Sequence, residues 1–98
     1  MRYLIVGWLL VAGWASAADP AKLAAQKACM ACHAVNAKIV GPAYADVAKR
    51  YKGDKGAAAR LAGHIRTGSK GNWGGIAMPP QRVTAEEAQL LAQWVLKQ

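Results

Sequence analysis

Phenylalanine is absent, and acidic residues are scarce: five Asp and Glu stand against thirteen Lys and Arg in 98 residues, a formal net charge of +8. Two cysteines allow at most one disulfide, which excludes a disulfide-dense scaffold. No segment repeats, and no strand-like alternation of any length occurs, which argues against a β architecture. Beyond residue 18 there is no apolar run of membrane-spanning length, and the aromatics there are Tyr44, Tyr51, Trp73 and Trp94 alone. A domain this small and this poor in bulky side chains buries too little to be robust by itself. The shortfall calls for a staple, a metal or a prosthetic group. What is abundant is apolar: 54% hydrophobic against 18% charged residues excludes a disordered chain.

The apolar excess is concentrated at the start. Met1-Arg2 is a positive n-region, Tyr3–Gly13 an apolar run, and Ala15-Ser16-Ala17 a small-x-small cleavage site. These features predict a cleaved secretory signal peptide over residues 1–17 and one mature domain over 18–98. The mature chain is expected to be exported, with no stable membrane insertion. Its formal charge is +7, which suits steering toward an acidic partner; no nucleic-acid-binding motif accompanies it.

Four short helices are expected, giving an all-α class. The first starts at Asp19-Pro20, with Asp as N-cap and Pro at the first helical position, and runs through Leu23, Ala24 and Ala28 into the cysteines. The second follows Gly41-Pro42, with Tyr44, Val47, Ala48 and Tyr51 on one face, and Gly53 ends it. The third spans Ala57–Thr67, with Gly68 as its stop. The fourth follows a capping box, Thr84 with Glu87, and presents Leu90, Leu91, Trp94 and Val95. Ser69–Val83, rich in Gly and Pro, is a long loop. Ala24 and Met30 are read as a size-compensated core pair.

Chemistry concentrates at Cys29-Met30-Ala31-Cys32-His33, a C-x-x-C-H. Two thiols one helical turn apart can add to the two vinyl groups on one haem edge, and the adjacent imidazole reaches the iron from the same side. A thioredoxin-like C-x-x-C would need a βαβ context. A zinc site would need four ligands, with only His64 as a credible fourth, and adjacent Cys32 and His33 chelate poorly; a plain disulfide leaves the histidine unexplained. One covalent haem c is therefore the expected cofactor. For the sixth iron ligand the candidates are Met78, in Gly74-Gly75-Ile76-Ala77-Met78-Pro79-Pro80, and His64, on the third helix. His/Met is a known axial pair of such haems, and the two prolines stiffen the loop behind Met78, so Met78 is favoured.

With these residues in place the chain resembles the small bacterial class I cytochromes c of the short c-551/c-552 group. The match runs through Cys29–His33, Val40–Val47, Gly71–Gly74, Met78–Pro80 and Glu87 to Val95, nearly the whole mature chain in order. The resemblance implies a class I cytochrome c fold, helices wrapped around one haem. It implies Cys29 and Cys32 as thioether attachments, and His33 and Met78 as iron ligands. It makes the Pro42 carbonyl the acceptor for the His33 Nδ1–H. It puts Trp73 at a haem propionate, and His64 where an arginine often contacts the inner propionate, with a pH-dependent potential as the consequence. Gln81 stands where an asparagine often braces the methionine loop. The implied function is one-electron transport in the periplasmic respiratory chain by a monomer that is not an enzyme. Acidic redox proteins are the implied partners: a quinol-oxidising complex, nitrite reductase or a terminal oxidase.

Overall fold

A computed structural model describes residues 19–98; the expected signal peptide and its cleavage point lie outside them. Helix α1 spans Pro20–Gln26, α2 Tyr44–Arg50, α3 Ala57–Thr67 and α4 Ala85–Leu96, with one turn of 3-10 helix at Cys29–Ala31. Among the described residues there is no strand, only two isolated bridges, His33 with Lys38 and Ser69 with Met78.

Each helix starts where a local acceptor meets its unpaired N–H groups. Asp19 Oδ1 accepts from Lys22 N at 3.1 Å to open α1. Helix α2 has no side-chain cap, and the loop carbonyls of Ala34 and Val35 take the N–H groups of Tyr44 and Ala45, each at 2.9 Å. The α2–α3 turn is braced by Asp54, which accepts from Gly56 N and pairs with Arg60. Thr84 and Glu87 close a reciprocal box at the head of α4, at 2.9 and 3.1 Å.

Helix α1 is shorter than its apolar spacing predicts. It stops at Gln26, and Ala28 turns left-handed at φ 63° before the 3-10 turn begins. That break separates the cysteine turn from the helix, so the motif does not continue α1 as expected. The Ala24–Met30 pairing is also corrected. Ala24 is fully buried, whereas Met30 is 41% exposed, because the break turns it out of the core.

Helix α4 is the centre of packing: it meets α3 along its length and also touches α1 and α2. The crossings are built from small side chains. Ala24, Ala57, Ala88 and Ala92 are fully buried, with Val47, Leu61, Ile65 and Leu91 around them. Alanine at a crossing lets two helix backbones approach closely, since interaxial distance follows the side chains at the contact. The apolar faces of α3 and α4 that are not used against each other line a cleft.

Candidate haem site

The cleft takes its walls from several parts of the chain, Tyr44 and Val47 of α2 among them. The cysteine turn and the stretch of bends to Pro42 form one side. Loop 69–81 forms another, and Leu61 and Ile65 of α3 with Leu91 and Val95 of α4 supply apolar walls. It encloses about 1250 Å³ free of atoms, solvent at its mouth included. Sites for organic ligands commonly measure roughly 300–1,000 Å³. Cys29, Cys32, His33, Pro42, His64, Trp73 and Met78, singled out from sequence, all line it.

His33 is fixed from three directions. Its Nδ1–H donates to the Pro42 carbonyl at 2.8 Å, which leaves Nε2 as the nitrogen with a lone pair to offer. The Tyr44 ring stacks on it, with centroids 5.2 Å apart and planes 23° from parallel, and Trp94 meets Tyr44 edge-on at 5.1 Å. Behind the ring lies Gly41, where a Cβ would fall 2.9 Å from His33 Nδ1. The imidazole thus occupies a cradle that only glycine leaves open. Burial, with smaller contributions from Cys29 and Cys32, pushes the Tyr44 phenol well above its ordinary range, so it stays neutral.

Neither cysteine is in a disulfide, and both are half-buried in the same wall. Burial pushes the Cys29 thiol up, against a smaller lowering by a backbone hydrogen bond.

Met78 is held by its backbone. Its N–H donates to Ser69 O at 2.8 Å, and its carbonyl accepts from Ser69 N at 3.0 Å. This pairing needs Gly68, which has φ 88° and where a Cβ would lie 2.9 Å from Met78 O. Gln81 continues the brace: its N–H donates to Ile65 O at 2.8 Å, and its side-chain amide donates to Pro79 O at 2.9 Å. His64 is half-buried on the last turns of α3, and its carbonyl accepts from Gly68 N. Trp73 sits at the mouth, 36% exposed, beneath the Arg50 guanidinium.

These residues fit a covalently held haem. Two cysteine sulfurs outside any disulfide, an imidazole with Nε2 available and a backbone-pinned methionine share one apolar cleft. Tyr44, Gly41 and Arg50 were not among the residues singled out. Tyr44 and Gly41 carry helix-start signals that masked their contacts with the histidine, and Arg50 reaches its partner across 22 positions.

Comparison with known proteins gives a consistent result. The cytochrome c family model matches residues 17–98. The chain is 54% identical to cytochrome c-552 of Hydrogenobacter thermophilus, over 97% of this chain and 95% of that one. It is equally 54% identical to cytochrome c-551 of Pseudomonas aeruginosa, over 100% and 93% of the two. The crystal structure of wild-type Nitrosomonas europaea cytochrome c552 superimposes with a TM-score of 0.76 at 47% identity, covering 79% of this chain and 96% of that one.

Proposed function

The chain belongs to the cytochrome c family and with it carries one covalently bound haem c, and from that premise we propose that it is a periplasmic one-electron carrier, not an enzyme. A quinol-oxidising complex is its donor, and an acidic-surfaced nitrite reductase or terminal oxidase its acceptor. The observation that carries the reading is the presence in one cleft of two fixed ligand candidates, His33 held by Pro42 and Met78 held by Ser69. When bound, the haem supplies an iron that takes up and releases one electron. Cys29 and Cys32 hold the ring through thioethers.

With haem bound, His33 Nε2 and the Met78 sulfur would both hold its iron, which would leave no site there for a substrate. The Pro42 carbonyl keeps the proton on Nδ1, fixing the tautomer and strengthening the imidazole as a ligand. The soft Met78 sulfur in an apolar cleft favours the reduced state and raises the potential. Trp73 and His64 both line the cleft and would meet the propionates. Backbone pinning at both ligands keeps their geometry alike in the two oxidation states, which lowers the rearrangement each transfer requires.

Visible and near-infrared spectra test the reading. Met78→Ala is expected to abolish the weak sulfur-to-ferric-iron charge-transfer band and to lower the potential; a band that survives this change would sink the ligand assignment. Rapid carbon monoxide binding by the reduced native protein would reveal an open position and overturn the carrier reading.

A further inference from the structure

The loop that carries Met78 is secured unevenly. At its ends Ser69 pairs with Met78 and Gln81 bonds to Ile65, all through backbone groups. Between them, residues 70–77 are all exposed and hold three glycines, of which Gly71 and Gly74 have φ of 86° and 110°. Among the described residues, a single hydrogen bond reaches this stretch: Arg50 Nη1 donates to Asn72 O at 2.6 Å. The same guanidinium lies over the Trp73 ring, 4.2 Å from its centroid. Arg50 is the last residue of α2, whose first residue, Tyr44, stacks on His33. One short helix therefore contacts the imidazole at one end and the methionine loop at the other.

We propose that Arg50 is a positioning residue that latches the tip of the Met78-bearing loop, holding Trp73 against the mouth of the cleft. The inference rests on the carrier reading above. A glycine-rich stretch with no other outside hydrogen bond opens locally at little cost. A planar cation that both stacks and donates is suited to hold it. When the latch is closed, Trp73 covers the mouth of the cleft and keeps water out; when it is open, Trp73 swings out, water enters, and the oxidised, more highly charged state would gain solvation. The potential is thereby tied to a contact outside the ligand set.

The test uses the haem-loaded full chain as native, Arg50→Ala and Arg50→Lys proteins, with two readouts. Tryptic cleavage after Lys70 reports opening of the loop, since cleavage tracks the population of the open form when reclosing is fast. The midpoint potential reports the exposure of the cleft. Arg50→Ala is expected to raise cleavage after Lys70 roughly tenfold, the factor carried by about 1.4 kcal/mol, and to lower the potential. Arg50→Lys is expected to fall between Arg50→Ala and the native protein on both readouts, because an ammonium can donate but has no plane to stack. Cleavage of Arg50→Ala within about twofold of native overturns the latch, and so does an unchanged potential. Failure of the carrier reading shows elsewhere, as rapid carbon monoxide binding by the reduced native protein.

Discussion

At Gly41 a hydrogen stands where any other residue would place a carbon against the His33 ring. The imidazole, the Pro42 carbonyl and the Tyr44 ring are packed so that the ring cannot back away without losing one partner. Gly41→Ala is therefore expected to act as an overpacking change, destabilising the loaded protein by about 2 kcal/mol. It should also weaken the His33–Pro42 bond. Denaturant unfolding checks the first expectation; a midpoint equal to the native one would mean the ring yields freely. Gly41-Pro42 was readable in the sequence as a helix start. Its closeness to His33 was not, because a tertiary approach leaves no trace in local spacing.

Among the elements, α3 and the start of α4 were legible, because apolar spacing and terminal signals agree there: Gly68 closes α3, and the Thr84–Glu87 box opens α4. Helix α1 was overextended, since nothing in Lys27-Ala28-Cys29 marks a left-handed alanine. The cleft residues were legible through the C-x-x-C-H spacing and the Met-Pro-Pro loop. The link from α2 to that loop was not, since Arg50 and Trp73 read separately as a helix end and a rim aromatic. The cap of α4 supports the helix on which all others pack. Thr84→Ala is expected to cost about 1 kcal/mol by freeing the Glu87 N–H. For a domain of this size that lowers the melting temperature by roughly 4–8 °C. A thermal melt decides it, and Thr84→Ser should melt close to native.

At the scale of the whole molecule the dominant fact is charge. Cations exceed acids by seven in residues 18–98, and among the described residues Asp54–Arg60 is the sole ion pair. Docking to an acidic acceptor should therefore slow as salt rises, because the Debye length falls from about 10 Å at 0.1 M to about 3 Å at 1 M. Stopped-flow transfer rates across that range check this, and a flat profile would point to apolar docking.

The lone Asp54–Arg60 pair has a second consequence. With so few anions to offset them, the remaining lysines and arginines repel one another in the folded chain, and dissolved ions quiet that repulsion. Brine that makes the carrier a slower courier should make it a sturdier one, its melting temperature climbing as its turnover drops. Speed and endurance are set against each other by the same unpaired charges, so the working salinity of its compartment selects a point along that exchange.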